Sequence, residues 1–325
     1  MRAIRCHELI GPDALRLDDI PEPEADGRIL VDVEAAGVSF ADLLVSQGLY
    51  QVRSEPPFVP GMEIAGRVRS APAGSGFSAG DRVCGSAAGA FAQVTAATPD
   101  RLFTLPDQLS FRQGAALTVN YQTAMFALHH RAGFREGETA LVLGAAGGTG
   151  TSAIQVLRGL GASRIVGLVS SDDKARIAIE AGADEALLIS DDWKDRARDL
   201  TGGSGYDLVY DPVGGDLFLD GVRSLATGGR LLVIGFAGGS IPELRINRLL
   251  LNNVGIVGAA WGEAVRRDPT LPPRIHARLV PLIEAGFVRP PIGAVFPLEQ
   301  VADAYRLFAE RKATGKVVVQ IGQEE

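Results

Sequence analysis

Cysteine is scarce in this chain of 325 residues: there are two, Cys6 and Cys84. Two thiols cannot build a four-cysteine structural zinc site, and they read as reduced thiols rather than a disulfide framework. Histidine is also thin, with four residues. His129 and His130 are adjacent, and on an α-helix two neighbouring rings point apart, so they predict no shared metal site. His7 and His276 read as surface residues, and no Ser/His/Asp triad emerges. No uncharged apolar run reaches about 18 residues, which gives no membrane span. The opening MRAIRCHELIGPDA lacks the apolar core of a signal peptide. A cytoplasmic location is the expectation. Basic runs are missing too, and the net charge is −7 from 32 Lys+Arg against 39 Asp+Glu. Nucleic acid and anionic membrane are therefore poor partners.

What is present is an ordinary globular composition, 46% apolar and 22% charged, long enough for two domains. The most informative stretch is TALVLGAAGGTG, residues 139–150. An apolar strand runs into a turn with almost no side chains, and a helix-like segment follows. Such a turn leaves the first helical amides free and points the positive end of the helix dipole outward, an arrangement that binds pyrophosphate. Ala145, Gly147 and Gly150 fall on the G-x-G-x-x-G spacing, with alanine at the first place.

From residue 139 onward, apolar strands are expected at 139–143, 164–169, 186–190, 207–211, 230–235 and 254–259. Helix-like segments separate them, at 150–160, 172–181, 192–200, 216–226 and 243–251. That alternation predicts an α/β domain with a doubly wound, parallel six-stranded sheet. Residues 1–110 predict short strands and turns, a twisted antiparallel sheet or partial barrel, with one short helix capped by Ser39. Helices at 274–285 and 298–311, strand-like AVFPL and a last strand GKVVVQI should return to that first domain. The expected boundaries are 1–117 and 262–325 for the mainly antiparallel domain and 118–261 for the dinucleotide-binding domain.

In NAD-binding sheets an acid at the end of the second strand holds the ribose 2′-hydroxyl. Here that strand ends at Val169 and is followed by Ser170, Ser171, Asp172, Asp173 and Lys174. Two hydroxyls and a lysine favour a 2′-phosphate, so NADPH is expected over NADH; Asp172 and Asp173 speak against it. Equally, Ser171 or Asp172 could simply cap a helix.

The chain resembles the medium-chain dehydrogenase/reductase superfamily, specifically its zinc-free NADPH:quinone oxidoreductase, or zeta-crystallin-like, branch. The resemblance rests on GVSFADLLVSQGLY (37–50), VPGMEIAGRV (59–68), GDRV (80–83), VNYQTAMFAL (119–128), VLGAAGGTG (142–150), YDPVGG (210–215) and ATGKVVV (313–319). It implies a Rossmann sheet joined to a GroES-like catalytic domain. Zinc-dependent relatives carry a cysteine where Ser39 stands and Gly-His-Glu where Gly61, Met62 and Glu63 stand. A hydroxyl and a thioether are poor zinc ligands, so no metal is expected. Glu63 is then expected to pair with an arginine or hold a loop.

The resemblance also implies cofactor contacts at Thr123, Ala145, Gly147, Gly148, Thr149, Gly150, Ser170, Ser171, Lys174, Asp211, Gly235, Phe236 and Lys316. Many relatives have asparagine at Ser39 and tyrosine near Ser190. The implied reaction is hydride transfer from NADPH to a quinone or other conjugated carbonyl, with Ser39, Tyr50 and Tyr121 as candidate donors to the substrate oxygen. Tyr50 and Tyr121 could instead be packing aromatics. Two alternatives stay open. One is an enoyl-CoA reductase on acryloyl-CoA-like substrates, using Arg53, Arg266, Arg267 or Arg274 for the CoA phosphates. The other is a non-catalytic NADPH-binding protein. The apolar edge at 254–259 is expected to join a second copy in a homodimer.

Overall fold

The computed structural model describes residues 1–51 and 53–323. The chain divides into two compact units, residues 1–119 with 290–325 and residues 120–289. Its strands are β1 (Arg2–Cys6), β2 (Leu15–Asp19), β3 (Ile29–Val38), β4 (Glu63–Ser70), β5 (Arg82–Ser86), β6 (Val94–Ala97) and β7 (Leu102–Thr104). There follow β8 (Thr139–Leu143), β9 (Arg164–Val169), β10 (Glu185–Leu188), β11 (Tyr206–Asp211), β12 (Leu225–Val233) and β13 (Gly255–Gly258). The last two are β14 (Ile292–Pro297) and β15 (Lys316–Gln320).

The second unit holds a six-stranded sheet in the order β10-β9-β8-β11-β12-β13. Every pairing in it is parallel. Counting from β8 as the first strand, this is the 3-2-1-4-5-6 order of the dinucleotide-binding fold. β8, β9 and β11 are buried almost throughout. Their unbroken apolar runs are what strands covered by helices on both faces require. Leu141, Leu143, Val166, Leu168, Val209 and Leu231 form the centre of one core.

The first unit is built on a seven-stranded sheet in the order β14-β15-β3-β4-β5-β7, with β6 also paired to β3. β3 alternates buried and half-buried residues along its first half, as expected of a strand with one face on the core. Ile29, Val31, Val33, Ile64, Val68, Val317 and Val319 pack there with Phe91 and Tyr305. The two rings meet edge-on at 6.2 Å. β15 runs antiparallel to β3, which ties the C-terminal strand into this unit.

The boundary after the sheet differs from the expected one. Residues 262–289 stay with the second unit rather than returning at 262. The reason is packing: helix Leu271–Glu284 lies so close to helix Gly148–Gly159 that a Cβ at Gly159 would sit 2.8 Å from Leu282 Cδ2. Arg289 is also clasped on both its N–H and C=O by the side chain of Gln155. Helix Leu271–Glu284 buries His276 against this core (6% exposed), which corrects its reading as a surface residue. Along the chain between β7 and β8, residues 111–131 form helical turns, two of them π-helical, Leu117–Tyr121 and Phe126–Arg131. Among the described residues no helix is long and apolar enough to cross a membrane.

Candidate functional site

In the second unit the turn after β8 is made almost wholly of backbone. Gly144 takes φ +61°, where a side chain is strained. Gly147 starts helix Gly148–Gly159 with no side-chain cap on its first amides. These N–H groups have no partner within the helix itself. Gly150 is needed for packing: a Cβ there would lie 2.3 Å from Gly144 O. At Gly147 the nearest atom to an added Cβ is 3.6 Å away, so this face is open. Thr151 and Ser152 turn their hydroxyls back onto carbonyls of their own helix. Free amides and bare backbone are thus exposed at this turn, a setting that suits a pyrophosphate.

At the end of β9, Ser171 caps helix Asp172–Glu180 by accepting from Lys174 N. Lys174 Nζ donates to Ser170 Oγ at 3.0 Å. Asp173 is ion-paired with Arg176, which offsets one of the two acids that opposed a 2′-phosphate. Asp211, at the end of β11, is buried. Its Oδ1 accepts from Val213 N and Gly214 N, both at 2.8 Å, while Oδ2 has no protein partner. Burial raises its pKa. Asp211 therefore shapes the Pro212–Gly214 turn with one oxygen. Gly235 and Phe236 follow β12, and Phe236 packs so closely over Gly214 that a Cβ there would approach its ring to 2.9 Å. Thr123 is half-buried in the helical turn Gln122–Met125. Ser190 is exposed and donates to Asp192 at 2.6 Å.

Tyr121 is corrected from a candidate donor to a core residue. Its hydroxyl is buried and donates to Gln155 Oε1 at 2.8 Å. Burial holds its pKa well above the usual phenol range.

The first unit gathers charge instead. Ser39 precedes helix Phe40–Ser46 and forms a reciprocal cap with Asp42. Ser39 Oγ donates to Asp42 Oδ2 at 2.6 Å, and Ser39 N donates to the same oxygen at 2.7 Å. Asp42 is 3% exposed, and burial pushes its carboxyl up to about 6. The Ser39 proton is thus already engaged. Tyr50 is half-buried, and its pKa is raised by burial and then by the charge of Asp42.

Glu63, at the start of β4, is 1% exposed, and Lys316, at the start of β15, is 3% exposed. Lys316 Nζ donates to Glu63 Oε2 at 2.5 Å. Glu63 Oε1 accepts from Val119 N at 2.7 Å and lies 3.1 Å from Thr118 Oγ1. Gly37 is bare because a Cβ would collide with Ala115 O at 2.1 Å, and would also press on Lys316 Cε at 2.7 Å and Glu63 Oε2 at 2.9 Å. The expected partner of Glu63 was an arginine; the fold supplies a lysine 253 positions away. The cofactor contact expected of Lys316 is corrected as well, since its ammonium is buried against that carboxylate. Asp42, Thr118 and Gln155 were not foreseen. Asp42 carried a signal, the Ser-x-x-Asp spacing of a capping box.

These donors suit zinc poorly. Ser39 is held by Asp42, Met62 offers only a thioether, and Glu63 is neutralised by Lys316. No group of three or more potential metal ligands occurs among the described residues. Cys84 is buried, and burial with the charge of Glu63 pushes its thiol up to about 12.

The sequence profile described as "Alcohol dehydrogenase GroES-like domain" matches residues 25–107, and that described as "Zinc-binding dehydrogenase" matches 148–275. Over 98% of this chain and 92% of its partner, the sequence is 38% identical to quinone oxidoreductase-like protein 2 of Bos taurus. The chain belongs to the medium-chain dehydrogenase/reductase superfamily, in its quinone oxidoreductase-like branch. Two solved structures agree with that membership. A probable oxidoreductase from Mycobacterium abscessus superposes with a TM-score of 0.91 at 42% identity, covering 98% of each chain. The quinone oxidoreductase of Thermus thermophilus, solved alone and with NADPH, superposes with a TM-score of 0.83 at 36% identity, covering 98% of this chain and 100% of that one. Membership makes this protein an oxidoreductase of the quinone oxidoreductase type.

Proposed function

We propose that this chain is an NADPH-dependent reductase of quinones or other conjugated carbonyls that works without zinc. The observation that carries the reading is the acid-free end of β9, where Ser170, Ser171 and Lys174 stand near an uncapped helix start on the adjacent strand. A 2′-phosphate suits the ammonium and hydroxyls, and a pyrophosphate suits the bare amides. When bound, NADPH supplies a hydride. The protein's own part is to orient the nucleotide and steady the oxygen that gains charge.

Tyr50 is the donor we assign to that oxygen. Its phenol is half-buried and makes no hydrogen bond among the described residues, whereas Ser39 is engaged and Tyr121 is in the core. Conjugated acceptors delocalise the incoming charge, so one weakly acidic donor suffices and no Lewis acid is required. Of the arginines named for the CoA-ester alternative, Arg266 and Arg267 are already paired with Glu263.

The purified chain should oxidise NADPH with 1,4-benzoquinone or 9,10-phenanthrenequinone, and metal analysis should find no stoichiometric zinc. Tyr50→Phe should slow an enone about tenfold or more and a quinone less, because an enone needs the proton more. Turnover unchanged on both would remove Tyr50 from the chemistry. We also propose a homodimer formed through β13, whose outer edge is unpaired in the sheet. The neighbouring Leu250 is 77% exposed. Sedimentation as a monomer would contradict this.

A further inference from the structure

Half of the chain's four histidines stand side by side at His129 and His130. They fall in the π-helical turn Phe126–Arg131. A π-turn places neighbouring side chains differently from an α-helix, and here both histidines line one pocket. The same pocket, of about 530 Å³, is lined by Arg274 and Arg278 from helix Leu271–Glu284 and floored by Leu271 and Ile275. Arg274 and Arg278 are four positions apart, hence on one face of their helix.

Two arginines and two histidines thus line one opening in a chain whose net charge is −7. Arg274 has one weak ion pair, to Asp268 at 3.5 Å. Asp268 itself is held by Thr270 N at 3.0 Å and Thr270 Oγ1 at 2.6 Å. Arg278 has no ion pair with any described residue. Arg131, on the same turn, is spent on Gly258 O. The ring of His130 is fixed by stacking on Phe126 at 5.4 Å. None of these residues belongs to the glycine turn or to the end of β9.

We propose that this pocket is a second ligand site, separate from the nucleotide site, and that it binds a small phosphorylated molecule. A phosphate fits the planar forks of two arginines, and its charge relieves the repulsion among the four basic groups. Leu271 and Ile275 offer an apolar floor to a short carbon skeleton. The pocket already shows that repulsion: the His129 pKa is lowered by burial, then by the charge of Arg278 and by His130. A bound dianion favours protonated imidazoles, so affinity rises as pH falls through the imidazole range. Asp268 is an acid whose charge acts on Arg274 and His130.

The test uses inorganic phosphate on the full chain saturated with NADPH, at constant ionic strength, with the histidine ring nitrogens followed by NMR. The His129 and His130 signals should move and saturate, while those of His7 and His276 stay still. The His129 pKa should rise by roughly half a unit or more. The double variant Arg274→Gln/Arg278→Gln should weaken the response at least about tenfold with no loss of NADPH binding. Arg278→Gln alone should give a smaller loss in the same direction. Still signals at His129 up to about 50 mM phosphate, a parallel drift of His7, or an undiminished response in the double variant would each overturn the proposal.

Discussion

The two units solve opposite problems with charge. At the turn after β8 the second unit offers polar backbone and keeps it unspent: amides without caps, glycines without side chains, hydroxyls turned away. Around Glu63 the first unit does the reverse, since Glu63, Lys316, Thr118, Ser39 and Asp42 each have a partner there. The contrast separates binding capacity from structural charge. Unsatisfied donors at a turn are able to receive an anion, whereas satisfied charges in a core hold strands in place.

The sharpest way to break the comparison is to unbalance the first unit. Lys316→Met leaves the Glu63 carboxylate buried without its counter-charge and should cost about 3–5 kcal/mol, read as a fall in the urea midpoint. The double change Glu63→Leu/Lys316→Met should recover most of that loss. A single variant as stable as the parent would show that the pair holds nothing.

The units should also answer pH in opposite senses. The folded carboxyl of Asp42 lies at about 6, above its unfolded value. Its stabilising share is therefore complete below about pH 4 and is lost as pH rises towards 6, by on the order of 2–3 kcal/mol. Burial pushes His276 down to about 4, below its unfolded value. Its share is complete above about pH 6.5 and is lost as pH falls towards 4, by a similar amount. Melting temperature against pH should lose the first slope in Asp42→Asn and the second in His276→Gln. Variants that keep the parent's profile would contradict both assignments.

A smaller effect sharpens the turn itself. Gly147→Ala has room and an ordinary φ of −77°, so it should fold like the parent yet bind NADPH roughly tenfold more weakly. Gly150→Ala should instead lose stability, because its Cβ would collide with Gly144 O. If Gly147→Ala leaves NADPH affinity intact, the open face of the turn is not where the nucleotide lies.

Much of the second unit was legible in the sequence because parallel strands covered on both faces read as unbroken apolar runs. All six strands fell within a few residues of their expected places except at the start of β12, which begins at Leu225 instead of 230. The glycine turn was legible because its chemistry is local. The first unit's site was not, because its pairs join distant positions: Glu63 with Lys316, and Glu63 with Thr118. No periodicity announces such a contact. The π-turns were missed because a helix-like pattern does not distinguish α from π spacing, and with them went the shared pocket of His129 and His130. The boundary at 289 was missed because helix Leu271–Glu284 is amphipathic and could have packed on either unit.

Fluorescence titration of the purified chain with NADPH and NADH decides whether the end of β9 receives a phosphate where NAD-binding sheets place an acid. NADPH should bind at least about tenfold tighter, and Lys174→Gln should erase most of that margin. NADH binding as tightly as NADPH, or more tightly, would contradict the account.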